Sequence, residues 1–332
     1  MAMIPSDDSF SDYSAFLTPM EGRRMGKLMK RALATSLTAL KDAGIEQPDA
    51  IITGTALGSV VDMESVLNSV CGNGGESVKP TSFMQSTHNT LGSLIALKTR
   101  THGYNCTWSQ EGLSFENALS DAMTQLRLGR IDNALVGAFD ELSPDVLEIQ
   151  RRGGILKDAD KAGEVAASFV LEAREHAEAE ESGALSGQEV EVLDVRTLFI
   201  PDESRQLTGL SATLEQMLSE ASLTLPDIDL VLTGRYAQAD SLNPNDAAYD
   251  RLSFLWGNCP QGRWKHILGE GFSSSAAGFH SAATCLLQGF VTPDFQDTAA
   301  PGRSNGQPSS PHNIIVFNHF DARHFSLMLL HK

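Results

Sequence analysis

The segment from Gly103 to Ala118 predicts a strand that runs through a tight turn directly into a helix. The strand is expected at Tyr104 to Ser109 and the helix at Leu113 to Leu128, with Gln110-Glu111-Gly112 as the turn between them. Several α/β enzymes place a nucleophile on such a turn, because a helix N-terminus stabilises a thiolate or a developing oxyanion. Here the turn carries neither a thiol nor a hydroxyl, so the usual nucleophile is missing.

The rest of the chain alternates helices, strands and Gly-rich loops in two similar cycles. Such alternation favours an α/β fold with mixed or parallel sheets and helices on both faces. We therefore expect two related α/β halves, at residues 21–198 and 199–332, after a loosely ordered N-terminal segment at residues 1–20. Each half has an ordinary domain size.

Charge and cysteine usage exclude several classes of partner and site. The chain has 42 acidic and 25 basic residues, a net charge of −17, which argues against binding nucleic acid or an anionic membrane. No apolar run is long enough for an integral membrane segment, and the first residues do not resemble a signal peptide. Four scattered cysteines predict neither a disulfide framework nor a zinc site, so we expect a cytoplasmic protein.

Four features invite a chemical interpretation that their surroundings do not favour. Gly54-Thr-Ala-Leu-Gly58 lacks the pattern of a phosphate loop and predicts a tight strand-to-helix turn. Ser273-Ser-Ser275 does not fit the Gly-x-Ser-x-Gly pattern of a hydrolase, and the histidines lack metal-ligand spacing. Cys106 lies in the middle of the predicted strand, too far from the helix for its dipole to activate the thiol. We therefore predict no metal and no cofactor.

Five segments, in the same order along the chain, resemble motifs of the β-ketoacyl synthase branch of the thiolase fold. The resemblance implies a layered αβαβα architecture built from two related halves. Two departures stand out: the first strand of the family is not recognisable, and its terminal Gly-rich loop is replaced by Phe317–Ala322. The five segments are Ile51–Gly58, Gly103–Ala118, Ile131–Ala138, Gly163–Glu172 and Lys265–Gly278.

In that family a cysteine attacks an acyl thioester, and two histidines assist decarboxylation and stabilise the enolate. The resemblance puts the cysteine position at Gly112, or at Gln110 or Glu111 if the turn is shifted, and the histidine positions at Gly234 and Glu270. A glycine cannot carry an acyl group, and a carboxylate repels an enolate. The resemblance therefore implies that this chain does not catalyse covalent condensation.

A chain of this family without its triad resembles the chain-length factors, in particular the short ones of aryl polyene and flexirubin-type pigment pathways. Ser82–Gly92 and Gly112–Ala118 carry the narrower resemblance. It implies a non-catalytic subunit that pairs with an active β-ketoacyl-ACP synthase and shapes the tunnel for a growing polyene or polyketide chain on acyl carrier protein. Because acyl carrier proteins are acidic, like this chain, their docking is expected mainly on the partner.

Thiolase folds dimerise through the strand before the turn, which is here Tyr104 to Ser109. Pro80 to Leu94 is expected near the partner's site. Taken individually, each bulky side chain in these segments is better explained as ordinary core than as a tunnel wall. The candidate tunnel and interface residues are Phe83, Met84, His88, Tyr104, Trp108, Gln110, Glu111 and Phe115.

Two other functions stay open at this point. One is an active thiolase-fold condensing enzyme or acyltransferase that uses an atypical nucleophile such as Cys106. The other is an α/β binding protein whose motifs match by coincidence, although the sequence contains no ligand-binding fingerprint in its support.

Overall fold

A computed structural model describes residues 1–5, 13–23, 25–73, 78–154, 156, 161–173, 189–236, 244–295 and 310–332. The sequence predicts a charged, small-residue hairpin or loop at Ala173 to Gln188, which lies outside these residues except for Ala173. The chain forms two compact units. The first comprises described residues of 1–150, 163–183 and 271–276, and the second those of 151–162, 184–270 and 277–332. Among the described helices, none is both long and apolar enough to cross a membrane.

Each unit contains one five-stranded mixed sheet, and the two sheets have the same topology. The strand order is β1-β5-β4-β2-β3 in the first and β6-β10-β9-β7-β8 in the second. In both, the three strands at one edge are parallel to one another and the other two are antiparallel to their neighbours. The strands are β1 (Ala2–Pro5), β2 (Ala50–Gly54), β3 (Tyr104–Trp108), β4 (Asn133–Asp140), β5 (Val165–Glu172), β6 (Glu191–Phe199), β7 (Leu230–Thr233), β8 (Gln261–Arg263), β9 (Asn313–Phe320) and β10 (His324–His331).

Helices precede or connect these strands in both halves of the chain. Short 3₁₀ turns occur at Glu111–Leu113, Leu225–Asp227, Ser253–Trp256 and Pro293–Phe295. The α-helices are α1 (Pro19–Gly22), α2 (Lys27–Asp42), α3 (Val60–Asn73), α4 (Pro80–Gln85), α5 (Thr90–Thr99), α6 (Ser114–Arg127), α7 (Pro144–Arg152), α8 (Glu203–Glu220), α9 (Pro244–Leu252), α10 (Lys265–Leu268) and α11 (Ser274–Gln288).

An aspartate immediately before the middle one of the three parallel strands aligns these strands in each sheet. The carboxylate of Asp49, ahead of β2, accepts the backbone N–H groups of Asp132 and Asn133 at 2.9 and 3.2 Å. Asp229, ahead of β7, accepts those of His312 and Asn313 at 2.7 and 2.9 Å. In both units the carboxylate therefore joins the start of one parallel strand to the start of its neighbour, β4 or β9.

The core of the first unit lies on both faces of its sheet. On one face α2 and α5 pack with Ile51 and Ala166 in a single apolar cluster. Phe169 is three residues beyond Ala166 on β5 and so points to the opposite face. There it contacts Phe115 of α6, with ring centroids 5.5 Å apart. Helix α6 therefore covers the second face, as the alternation of helices and strands predicted.

The second unit has a comparable core between its sheet and helices α8 and α9. Leu210 and Met217 of α8 pack with Phe317 and Phe325 of the sheet, and all four are fully buried. On α11, a Cβ at Gly278 would lie 2.7 Å from the indole ring of Trp264. The glycine therefore lets the helix rest directly on the tryptophan ring.

The structure corrects the sequence-based description at the N-terminus and near residue 199. The prediction of a loosely ordered segment at 1–20 is wrong for Ala2–Pro5, which forms β1 and pairs with β5. This edge strand is too short to give a clear alternating pattern. The predicted boundary between residues 198 and 199 falls inside β6, a strand whose charged residues concealed it. Gly44, two residues beyond the end of α2, has a positive φ of 72°, as is typical of a glycine that follows a helix C-terminus.

Buried carboxylates connect α2 and α3 to the ends of β4 and β5 in the first unit. Glu164 accepts hydrogen bonds from Lys27, from Arg31 at 2.9 Å and from the backbone N–H of Leu142 at 2.9 Å. Glu141 lies nearby and accepts from the N–H of Val61, at the start of α3, at 3.2 Å. Burial raises the pKa of Glu141 to about 7, against the opposing effects of the Val61 N–H and the Lys27 charge.

This raised pKa predicts a pH dependence of stability that Glu141→Gln removes. A carboxyl whose pKa is higher in the folded than in the unfolded chain stabilises the fold at low pH. Its contribution is lost as the pH rises from about 4.5 to about 7, by about 3 kcal/mol in total. Urea unfolding between pH 5 and pH 8 should therefore show the wild type losing stability relative to the variant. If the free energies of unfolding of the two proteins changed with pH in parallel, the raised pKa of Glu141 would be contradicted.

Candidate functional site

The predicted turn before α6 has the strained geometry of a nucleophile elbow. Strand β3 ends at Trp108, and Glu111 adopts a positive φ of 46°, which side-chain-bearing residues rarely do. The hydroxyl of Ser114 accepts the backbone N–H of Gln110 at 2.9 Å and donates to the carbonyl of Glu111 at 2.7 Å. These bonds hold the turn at its apex. The strained residue is thus Glu111, one position before Gly112, and its side chain is exposed whereas Gly112 is buried.

Gly54, at the end of β2, allows the turn before α6 to approach this strand closely. A Cβ at Gly54 would lie 2.4 Å from the carbonyl oxygen of Ser114, a distance that real side chains do not tolerate. The end of β2 and the start of α6 are therefore in direct backbone contact. This packing explains the first glycine of Gly54-Thr-Ala-Leu-Gly58 without any ligand.

The loop that follows Gly54 already binds an anionic group, the carboxylate of Asp140 at the end of β4. Asp140 accepts the backbone N–H groups of Ala56 and Leu57 at 2.9 Å and the hydroxyl of Thr55 at 2.9 Å. The hydroxyl of Ser273 also donates to it. Because a protein carboxylate takes up these donors, the loop is a structural turn. The interpretation as a turn rather than a phosphate loop agrees with this geometry.

In the second unit, the structure leaves no space for a side chain at Gly234, which directly follows β7. A Cβ there would lie 2.2 Å from the hydroxyl oxygen of Tyr249, 2.8 Å from Cε of Lys265 and 2.9 Å from Oδ1 of Asn318. Gly234 does not have a positive φ, so its backbone would accept another residue. Space, and not backbone conformation, therefore restricts this position to glycine.

Glu270 is engaged by a buried lysine of the same unit. Its carboxylate lies 2.8 Å from Nζ of Lys265, whose side chain is only 2% exposed. Burial lowers the pKa of Lys265, but electrostatic interactions and hydrogen bonds with Glu270 and Tyr249 outweigh it and leave the pKa above its ordinary value. The lysine is therefore charged, and Glu270 is its counter-ion. The structure brings the two predicted histidine positions together around this lysine.

Strand β3 presents two aromatic side chains that a single carboxylate fixes. The Tyr104 hydroxyl and the Trp108 indole N–H donate to Oδ2 of Asp121, on α6, at 3.1 and 3.0 Å. Both rings remain about 40% exposed, and β3 is an edge strand of its sheet. Cys106 lies between them and is half-buried, so its thiol is part of the strand and not of the turn. Partial burial raises the pKa of Tyr104, and its hydrogen bonds to Cys106 and Asp121 act in the same direction.

The remaining candidate residues have different surroundings. Phe83 and Met84 of α4 are 60% and 71% exposed. His88 donates from Nε2 to the carbonyl of Ala56 at 3.1 Å and so supports the loop after β2. Phe115 is fully buried against Phe169 and so lies in the core of the first unit.

Sequence reasoning missed three residues that shape these positions: Asp121, Asp140 and Tyr249. Each acts on residues that are distant in the sequence, so its role is visible only in the folded chain. A partial sign exists for Asp140, because a polar residue at the end of a buried strand lies at the edge of the sheet where loops meet. Nothing comparable marks Tyr249 on its helix.

Comparison with known proteins identifies relatives of the whole chain. The family described as beta-ketoacyl synthase, N-terminal domain matches residues 3–225. No curated protein matches the sequence.

Three solved structures illustrate the likeness of fold. The ishigamide ketosynthase/chain length factor superposes with a TM-score of 0.76 and 17% identity, covering 97% of this chain and 86% of that one. A beta-ketoacyl synthase from Burkholderia phymatum STM815 superposes with a TM-score of 0.76 and 16% identity, covering 95% of this chain and 84% of that one. A type II polyketide ketosynthase in complex with its acyl carrier protein and bound to a hexaketide, AntDE:AntF, superposes with a TM-score of 0.73 and 16% identity, covering 92% of this chain and 84% of that one. At these identities the likeness concerns the fold, which is thiolase-like as the sequence predicted.

The strain at the elbow predicts an ordering of variants at position 111. Glu111→Gly should be more stable than Glu111→Ala by about 1 kcal/mol, because only glycine adopts the left-handed conformation without a steric cost. Both variants remove the same carboxylate, so their difference isolates the backbone. Urea unfolding of the two proteins measures it. Equal stabilities, or a more stable alanine variant, would contradict the strained turn.

Proposed function

Because the chain belongs to the β-ketoacyl synthase N-terminal domain family, we propose that it is a non-catalytic subunit of the chain-length-factor type. It would pair with an active β-ketoacyl-ACP synthase and shape the tunnel for a growing chain on acyl carrier protein. The observation that carries the proposal is the replacement of all three catalytic side chains, at the elbow, at Gly234 and at Glu270.

The chemistry of condensation needs groups that these positions do not provide. The elbow carries Glu111 and Gly112, neither of which forms a thioester with an acyl group. Gly234 has no donor side chain, and its surroundings are filled. Glu270 is an acceptor that is already paired with Lys265 and would repel the negative charge of an enolate. Each position is therefore unsuited to its role for a separate physical reason.

The alternative of an active enzyme that uses Cys106 has less support. The thiol lies in the middle of β3, next to Tyr104, and five residues before the 3₁₀ turn at Glu111–Leu113. A thiol needs a cation, a base or a helix N-terminus to become a good nucleophile. The neighbouring phenol of Tyr104 supplies none of these.

Strand β3 is the proposed site of pairing with the ketosynthase. As an edge strand it has one row of backbone groups available for a strand of another chain. Tyr104 and Trp108 flank it as exposed rings whose orientation Asp121 fixes in advance. Fixed aromatic side chains commonly supply most of the binding energy at an interface, because little rotational freedom is lost. Phe83 and Met84, exposed on α4, are the candidates for contact with the partner or its tunnel.

The substrate of the proposed complex is a polyene or polyketide chain held on acyl carrier protein. The narrower assignment to an aryl polyene or flexirubin-type pathway rests on the resemblance of Ser82–Gly92 and Gly112–Ala118. The net charge of −17 supports docking of the acidic carrier protein mainly on the partner, because like charges repel.

Intact-mass spectrometry of the co-purified complex tests the division of labour between the subunits. After incubation with an acyl-carrier-protein thioester, we expect the ketosynthase alone to gain the mass of the acyl group. A complex in which the partner's nucleophilic cysteine is replaced by alanine should leave both subunits unmodified. Acylation of this chain would overturn the proposal, and its loss in Cys106→Ala would then identify the nucleophile.

Pairing through β3 predicts that Trp108→Arg weakens the complex. The substitution puts a bulky charge at the edge strand, and we expect the affinity for the ketosynthase to fall at least about tenfold. Phe254→Arg is the matched control, since it places the same charge at a side chain that is 83% exposed in the second unit. Pull-down with a tagged ketosynthase measures both, after urea unfolding has shown that each variant is folded. Undiminished binding of Trp108→Arg would exclude β3 as the interface.

A further inference from the structure

Three atoms limit the space at Gly234, and they differ in how firmly they are held. The nearest is the hydroxyl oxygen of Tyr249, 2.2 Å from the position of a Cβ, while Cε of Lys265 and Oδ1 of Asn318 lie 0.6 to 0.7 Å farther away. Lys265 is attached at its other end to Glu270. The orientation of Asn318 depends on Tyr249 itself, because its Oδ1 accepts the tyrosine hydroxyl at 3.2 Å. Tyr249 is thus both the closest obstacle and the support of another.

The position of the Tyr249 ring is fixed on every side by buried groups. Its hydroxyl oxygen also accepts the backbone N–H of His319 at 3.2 Å. The ring lies edge-on to Phe317, with centroids 5.6 Å apart, and contacts the ring of His319 at 4.3 Å. The side chain comes from α9, whereas Asn318, His319 and Phe317 all belong to β9. Only 5% of Tyr249 is exposed, so the ring cannot move aside into solvent.

We infer that Tyr249 is the residue that closes the first histidine position of this chain. Its hydroxyl occupies the place at which any side chain from residue 234 would begin. Restoring the histidine there would therefore fail while Tyr249 remains, whatever is restored at the elbow and at Glu270. The identification of Gly234 with a histidine position rests on the proposed function, but the obstruction itself is a property of the packing alone.

A double-mutant cycle with Gly234→Ala and Tyr249→Phe tests the obstruction. The alanine adds one methyl group at the obstructed position, and the phenylalanine removes only the hydroxyl 2.2 Å away. In the wild-type background we expect Gly234→Ala to raise the unfolding equilibrium constant at least about tenfold, as overpacking of a filled core does. In the Tyr249→Phe background the same substitution should raise it less than about threefold. The difference between the two is the coupling that measures the closure.

Gly22→Ala provides the control, since a Cβ at Gly22 would meet no atom within 4 Å and its φ is not positive. Its effect should be the same in both backgrounds. An equal loss of stability from Gly234→Ala in the two backgrounds would overturn the inference. Lys265 and Asn318 would then be the residues that obstruct the position. No loss in the wild-type background would show that the position is open.

If Gly234→Ala does not fold well enough for unfolding experiments, the folded yield replaces the equilibrium constant. Co-expressed with the ketosynthase, the double variant should then be recovered in the complex where Gly234→Ala alone is not. If neither Gly234→Ala nor the double variant is recovered in the complex, the inference is overturned. None of these measurements depends on activity. Acylation of this chain would contradict the proposed function and leave the double-mutant cycle unaffected. Absence of coupling would contradict the obstruction by Tyr249 and leave the acylation result unaffected.

Discussion

The carboxylates of Asp49 and Asp229 fix the starts of β2 and β7 against the neighbouring parallel strands. Gly54 and Gly234 lie at the other ends of β2 and β7. Each carboxylate accepts two backbone N–H groups at the start of the neighbouring parallel strand. An ionised acceptor bound to two amides is stronger than a neutral one, so it sets the register of the pair firmly. The elbow contact at Gly54 and the closed position at Gly234 both follow from that register.

Several polar groups of the two units are bound by other groups of this chain. The loop after β2 binds the carboxylate of Asp140, and Lys265 is neutralised by Glu270. The space at Gly234 holds the hydroxyl of Tyr249. An empty cavity or an unpaired buried charge costs free energy. These contacts therefore remove costs that the folded units would otherwise carry.

Much of the fold could be predicted because its long elements carry strong periodicity. Strand β3 and helix α6 lie within one residue of the bounds that the sequence predicts for them, Tyr104 to Ser109 and Leu113 to Leu128. The missed strands, β1, β6 and β8, are short edge strands or are rich in charged residues. Edge strands need less apolar surface, since part of their surface faces water, and so they leave a weaker pattern.

The sequence by itself determined which chemical groups exist at Gly112, Gly234 and Glu270, the positions to which the resemblance assigns a cysteine and two histidines. It also determined that a strand, a turn and a helix follow one another at Gly103–Ala118. Only the tertiary structure decided which surroundings these groups have: that Phe115 is core, that Trp108 is exposed, and that Tyr249 fills the space at Gly234. The physical reason is that burial and close packing arise between residues distant in the chain, whose distances no local pattern specifies.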